Sequence, residues 1–137
     1  MRARAMHEGD AALAKDREAL AGAIADLVAG IHTSDAARLE RMLHPEVAMS
    51  GFGAFPGAKP AINRTRYSGI VEPARAKLMR VVPEDARTAQ TRIVDVMDGM
   101  ALAEVAMPNA FVVLQLARLD GEWRVLNIVS ERIMPGR

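Results

Sequence analysis

The sequence predicts a single α+β domain, with helices in its N-terminal part and an antiparallel sheet in its C-terminal part. Apolar residues recur at steps of three, four and seven from Ala11 to Ile31, which is typical of an amphipathic helix. After Pro83 the period changes to two. Asp98-Gly99 and Asp120-Gly121 each separate two alternating runs, which indicates two β-hairpins.

Length and composition agree with one globular domain and exclude several classes of partner. The chain has 137 residues, half of them apolar, and a net charge of +1. This balanced charge argues against nucleic acid as a partner, and no run reaches the ~18 apolar residues of a membrane span. No apolar segment follows the basic N-terminus, so we expect a cytoplasmic protein. The absence of cysteine excludes disulfides and thiolate metal sites.

The first element is a long helix with one buried face. Residues 1–10 are expected to be disordered or frayed, so the domain spans residues 11–137. Thr33 or Ser34 could cap a short second helix, which ends at His44-Pro45 because the residue before proline avoids the helical region. The residues expected to be buried in the two helices are Leu13, Leu20, Ile24, Leu27, Val28, Ile31, Leu39, Met42 and Leu43.

The middle of the chain is less regular. Residues 46–52 alternate as in a strand, and the glycines and prolines of residues 51–60 indicate a loop, in which Phe52 or Phe55 could fold over a cavity. We expect a helical segment from Tyr67 to Ala76, interrupted at Pro73. A basic cluster in this region could be a solvated face or could dock an anionic ligand. It comprises Arg64, Arg66, Arg75, Lys77 and Arg80.

In the first hairpin, a two-residue turn places only valines and alanines on one face, which we expect to be the core face. These residues are Val94, Val96, Ala101, Ala103 and Val105. Asp95 and Glu104 then lie on the outer face. We interpret them as solvated charges or dimer contacts rather than as a general acid/base pair.

In the last strand, Trp123 and Asn127 share a face that we expect to be concave, because tryptophan buries a large area. A buried Asn127 then needs a polar partner, either the backbone or a ligand. The opposite face then carries an apolar patch, which suggests a homodimer formed through the sheet. The patch comprises Val112, Leu114, Leu116, Leu126 and Ile128. A one-residue slip in the register of this hairpin would turn Val112, Leu114 and Leu116 inwards. A bulge in the hairpin would instead bring Gln115 beside Asn127.

The motifs "LHPEV" (Leu43–Val47) and "LDGEWRVLNIV" (Leu119–Val129), behind a long amphipathic helix, resemble the nuclear transport factor 2-like superfamily. Within it the chain is most similar to the putative lumazine-binding and SnoaL-like branch, over about residues 15–133. The resemblance implies a cone-shaped, cystatin-like α+β roll, in which the helices pack in the concave face of a curved antiparallel sheet around an apolar cavity. Members of the superfamily include isomerases, dehydratases, cyclases and subunits without activity, so the fold alone assigns no function.

The first functional hypothesis is a domain that binds a small apolar or aromatic molecule, with Phe52, Tyr67, Trp123 and Asn127 as ligand contacts. The second is a cyclase, isomerase or dehydratase that acts on a carbonyl compound. In it, Tyr67 and Asn127 would polarise the carbonyl, and His32 or His44 would transfer protons.

The third hypothesis is a dimerisation module with a filled core. Each candidate also has a structural interpretation: both histidines stand at helix ends, and the tyrosine could be a buried core residue. No spacing of His with Asp or Glu suggests a metal site, and we expect no cofactor.

Overall fold

The chain folds into helices packed on one side of a single mixed sheet. The computed structural model describes residues 10–53, 59, 61–78, 81–108 and 110–132, with residues 10–12 as backbone only. The elements, in chain order, are α1 (Asp10–Thr33), α2 (Ala36–Met42), β1 (Leu43–Gly53), β2 (Ala61–Arg66), α3 (Tyr67–Arg75), a 3-10 turn (Glu84–Ala86), β3 (Gln90–Val96), β4 (Met100–Met107), β5 (Ala110–Leu119) and β6 (Glu122–Arg132).

The sheet has the strand order β2-β1-β6-β5-β4-β3. All neighbouring strands are antiparallel except β1 and β6, which run parallel. Both predicted Asp-Gly hairpins are confirmed. In the second, Asp120 (φ 53°) and Gly121 (φ 80°) both adopt the positive φ values of a type I′ turn.

The helices cover the concave side of the sheet, which confirms the predicted fold class. The predicted stripe of α1 is buried at its centre, and α2 contributes Leu39 and Met42 to the same core. From the sheet, Val96, Val105 and Trp123 face these helices. No described helix has the length and apolar character that crossing a membrane requires.

The junction between the first two helices differs from the prediction. Asp35, rather than Thr33 or Ser34, caps α2, and its Oδ1 accepts a hydrogen bond from the Arg38 N–H at 3.1 Å. Ser34 instead makes the turn, with a positive φ of 55°. The second helix ends before His44, because Leu43 is already extended and pairs with Val125 in the sheet.

Two bulges shift side chains from the faces that strict alternation assigns to them. In β3, Ile93 pairs with Ala103 and Val94 is the extra residue, so Val94 is exposed and its predicted core position is wrong. In β6, Leu126 is the extra residue between the partners of Gln115 and Leu116. After this bulge, the residues of β6 that strict alternation would place on the concave face lie on the outer face, and the others lie on the concave face.

The bulge at Leu126 overturns two predictions about the second hairpin. Asn127 lies on the outer face, not in the concave one, and Ile128 is buried. The predicted outer patch is wrong as well, since Val112, Leu114 and Leu116 belong to the core. Trp123 precedes the bulge and is buried on the concave side as predicted.

The segment after β1 contains a strand that the sequence did not indicate. β2 (Ala61–Arg66) is an edge strand with mostly exposed side chains. The predicted helical segment is confirmed as α3, which continues through Pro73 to Arg75. β1 reaches Gly53, and Phe55 lies outside the described residues. The predicted fraying of residues 1–10 also lies outside them, except that Asp10 begins α1.

Candidate functional site

One end of the concave face is filled by packed side chains. Leu20, Ile24 and Leu27 of α1 are almost completely buried and belong to the same core as Trp123. The Arg118 guanidinium lies over the Trp123 ring, 5.4 Å from its centroid. At this end of the cone the described residues therefore form a solid core, and Trp123 serves as a core residue.

The other end of the concave face is polar and partly exposed. Gly51 pairs with Asn63 of β2 on one side and with Ser130 of β6 on the other, so the three residues lie in one row across the sheet. A Cβ atom at Gly51 would lie 3.5 Å from the Ser130 Oγ, which shows that both point to the same side. We call Asn63, Gly51 and Ser130 the concave polar row. It combines an amide, a hydroxyl and, between them, a glycine without a side chain.

The neighbouring row is apolar and continues into the core. Thr65, Met49 and Ile128 pair across the same three strands, and Met49 packs against buried residues. Tyr67, in the first turn of α3, is half-buried and also packs against the core. Of the predicted ligand contacts, Tyr67 and Trp123 are on the same side of the sheet as the concave polar row, and Trp123 is buried in the packed core.

His32 is buried at the end of α1 and does not reach either row by any described contact. Burial lowers the pKa of His32 below its usual value of 6.5, and the nearby positive charge of Arg87 lowers it further. The ring is therefore neutral at pH 7, so it does not add a positive charge to the helix C-terminus. Its backbone carbonyl accepts a hydrogen bond from the Val82 N–H at 2.8 Å.

His44 is the second residue of strand β1, and no described contact joins it to His32. Its Nδ1 accepts a hydrogen bond from the Glu46 N–H at 2.9 Å, across Pro45. The imidazole borders an open groove of about 250 Å³ with Asp120, Glu122 and Arg124. The groove is on the surface beside the second hairpin and is separate from the concave polar row.

Asn127 and Phe52 lie on the outer face of the sheet. The Asn127 Nδ2 donates to the Gln115 Oε1 at 2.6 Å, and the Gln115 Nε2 donates to the Met100 Sδ at 3.2 Å. The bulge at Leu126 thus brings Gln115 and Asn127 together, but on the side opposite Tyr67. Phe52 pairs with Ile62 and is 45% exposed.

The predicted basic cluster does not converge on one site. Arg75 forms ion pairs with Glu40 and Glu72, while Arg66 lies 3.7 Å from Glu46. Arg80 is outside the described residues. Asp95 and Glu104 lie on the outer face as predicted. Within the described residues, no group of three or more His, Asp or Glu side chains could hold a metal ion.

A family model with the description "Putative lumazine-binding" matches residues 15–129. The chain belongs to this family. Solved structures with the same fold include an NTF2-like protein of unknown function from Silicibacter pomeroyi, which is 15% identical with a TM-score of 0.65. That similarity covers 88% of this chain and 98% of the other.

Two further solved structures are similar over most of their length. An NTF2-like protein of unknown function from Shewanella baltica is 13% identical with a TM-score of 0.64, over 88% of this chain and 96% of the other. One from Rhodospirillum rubrum, described as of unknown function in nutrient uptake, is 15% identical with a TM-score of 0.63. That similarity covers 84% of this chain and 98% of the other. At these identities the similarity shows the fold alone. No curated protein matches the chain.

Sequence reasoning missed the concave polar row because its three members come from three strands. Asn63 belongs to the strand that the sequence did not indicate, and Ser130 follows a bulge that exchanges the two faces. A signal was present at Gly51. A glycine within a strand often marks a place where a ligand or another backbone comes close.

Proposed function

We propose that this protein binds a small molecule at the concave polar row, with the ligand's apolar or aromatic body resting on the neighbouring apolar row. The observation that carries the proposal is the position of Gly51 between Asn63 and Ser130 on the partly exposed end of the concave face. The remainder of this face is closed by aliphatic residues. Among the described residues of this face, the concave polar row is where small and polar side chains leave the surface partly exposed.

The residue types indicate the chemistry of the ligand. An Asn side chain offers two donors and one acceptor, and a Ser hydroxyl can both donate and accept. Neither is charged, so the matching group is a neutral carbonyl, amide or hydroxyl. Met49 and Ile128 supply an apolar surface beside it, and methionine adapts to ligands of different shape. Tyr67 adds an aromatic contact from α3.

The family's description supports a ligand of this kind. Lumazine is a flat heterocycle whose edge alternates carbonyl and N–H groups, which an amide and a hydroxyl can match. We therefore include a pteridine among the ligands whose binding to the concave polar row is tested. The enzyme hypothesis receives no comparable support, because Tyr67 and Asn127 lie on opposite sides of the sheet and His32 and His44 stand apart from both.

Thermal unfolding in the presence of ligands tests the proposal. The probes are lumazine and a panel of aromatic and polyketide-like ketones. A specific ligand at 100 times its Kd should stabilise the fold by about 2.7 kcal/mol, or several degrees in Tm. The Asn63→Ala variant should lose most of this ligand-induced rise in Tm. The Gly51→Leu variant should lose all of it, because the leucine side chain would fill the concave polar row.

The matched control is Gln90→Ala, which removes an exposed amide from the opposite edge strand and should retain the full shift. Gly51→Leu is expected to fold, because its Cβ meets its nearest neighbour at an ordinary contact distance. Two results would overturn the proposal. One is that no compound of the panel raises Tm, and the other is that both concave variants keep the shift of the parent protein.

A further inference from the structure

Arg132 lies one step beyond the concave polar row, on the same side of the last strand. From the core outwards, the concave side of β6 carries Trp123, Val125, Ile128, Ser130 and Arg132. A Cβ atom at Gly53 would lie 3.1 Å from the Arg132 Cβ, so both residues point to one side of the sheet. Gly53 follows Gly51 by two residues in β1, and residues two apart in a strand share a face. The Arg132 side chain therefore leaves the sheet on the concave side, farther from the core than Ser130.

The residues beside Arg132 on this side of the sheet are small. Gly53 lies next to it in β1, and Ala110 pairs with it in β5. Ala61 pairs with Gly53 at the β2 edge. A side chain that ends at Cβ does not reach over the long side chain of an arginine. Arg132 itself is exposed, so a molecule bound at the concave polar row can contact it.

Arg132 is the one charged side chain among the described members of these two rows. Across the sheet, the concave polar row continues as Val112, Val105 and Thr91. The row of Arg132 contains Ala61, Gly53, Ala110 and Met107. The adjacent carboxylate, Glu131, pairs with Phe52 and lies on the outer face. The exposed end of the concave face therefore combines neutral hydrogen-bonding groups with one positive charge.

We propose that the ligand of the concave polar row is a carboxylic acid, and that Arg132 binds its carboxylate. This inference rests on the proposed function, because the concave polar row must hold the rest of the ligand. An arginine presents five N–H donors in a planar fork, two of which match the two oxygens of a carboxylate. The other donors stay available for contacts within the protein.

The spacing of the two rows indicates the length of the ligand. Ser130 and Arg132 are two residues apart in β6, which corresponds to about 7 Å along a strand. The carboxylate should therefore lie roughly 7 Å from the neutral group that Ser130 and Asn63 bind. An aromatic ring with a carbonyl at one end and a carboxylate at the other has this arrangement. Such a ligand would place its polar groups over the two rows and its ring between them.

Isothermal titration calorimetry with matched pairs of probes tests the proposal. The two members of a pair share a ring and differ in one carboxylate: lumazine with lumazine-6-carboxylate, and acetophenone with 4-acetylbenzoate. The parent protein should bind each carboxylate at least about 10-fold more tightly than its neutral partner, because hydrogen bonds between charged groups are the strong ones. Raising the NaCl concentration from about 50 mM to about 500 mM should reduce this ratio of affinities, since salt screens an exposed charge.

Three arginine variants locate the charge that is responsible. Arg132→Gln should bring the affinities of the two members of each pair to within about twofold of each other, with the neutral member bound as in the parent protein. Arg132→Lys keeps the charge without the fork and should retain part of the ratio. Arg64→Gln is the matched control. It removes the same charge beside Asn63, but from the outer face, and should retain the full ratio. Circular dichroism verifies that each variant is folded.

The outcomes separate this inference from the proposed function. Carboxylates that bind no more tightly than their neutral partners, or an Arg132→Gln variant that keeps the full ratio, would overturn the role of Arg132. The concave polar row would still be supported if Asn63→Ala weakens the binding of the neutral probes. If no compound of either pair binds, the inference is overturned as well, and the wider panel of ligands alone then decides the proposed function.

Discussion

Arg118 connects three elements through one side chain. Its Nη1 donates to the Asp16 Oδ1 of α1 at 2.8 Å, and its Nη2 donates to the Asp98 carbonyl in the first hairpin turn at 2.7 Å. The guanidinium also lies over the Trp123 ring. An arginine can make these contacts together because its planar fork holds several donors in fixed directions. Lysine carries the same charge without the fork.

Arg118→Lys should therefore lower the free energy of unfolding by about 1–2 kcal/mol, through one lost hydrogen bond and a weaker cation–π contact. Urea denaturation followed by Trp123 fluorescence measures this change. Arg124→Lys is the control, since both side chains are 36% exposed and Arg124 pairs with Glu122 at 3.3 Å. Its cost should stay below about 0.5 kcal/mol. Equal costs would show that the contacts of Arg118 add nothing beyond charge.

At the scale of elements, two helical glycines with different surroundings make a matched pair. Gly69 lies in α3 directly over β2, where a Cβ atom would overlap the Thr65 hydroxyl. Gly22 lies on the exposed side of α1, with nothing within 4 Å of the same position. An alanine improves helix propensity at both sites, by up to about 1 kcal/mol. Only at Gly69 does it force α3 away from the sheet.

We expect Gly22→Ala to stabilise the protein by roughly 0.5–1 kcal/mol and Gly69→Ala to destabilise it by roughly 1–3 kcal/mol. Chemical denaturation of both variants measures the difference in sign. Adding Thr65→Ala to Gly69→Ala removes the overlapping hydroxyl and should restore most of the lost stability. Without that recovery, contact between α3 and β2 is not the cause.

The elements that the sequence predicted correctly are those whose signal is local. Both hairpins show alternation on each side of an Asp-Gly turn, and the α1 stripe repeats at helical spacing over several turns. β2 was missed because an exposed edge strand has no buried face to produce alternation. The bulges at Val94 and Leu126 leave alternating runs intact on both sides, so only the pairing with neighbouring strands reveals them.

The same limit applies to the candidate site. Tyr67 was selected for its chemistry, and it packs against the core from α3. Asn127 was assigned to the wrong face because one extra residue in β6 exchanges the faces beyond it. Asn63 and Ser130 lie in one row because each pairs with Gly51. The pairing of Gly51 with Ser130 joins two parallel strands that are far apart in the sequence. Such contacts leave no periodic pattern.

At the scale of the whole molecule, the stability of the fold should depend on pH through His32. This ring is buried where the end of α1 meets the segment before β3, and Arg87 adds a positive charge nearby. Both effects lower its pKa in the folded protein. In the unfolded chain the pKa returns to about 6.5. The unfolded state therefore takes up the proton first as the pH falls.

The stabilising contribution of neutral His32 is thus complete above pH 6.5 and is lost as the pH falls from there towards the lowered pKa of the folded state. Within this window a single proton changes the free energy of unfolding by up to about 1.4 kcal/mol per pH unit. Tm measured from pH 7.5 to 5.0 should decline in the parent protein and in His44→Gln. His32→Gln should flatten this decline, whatever its effect on Tm at neutral pH. A decline of unchanged slope in His32→Gln would assign the acid sensitivity to other groups, because the buried imidazole is the one proton acceptor that this variant removes.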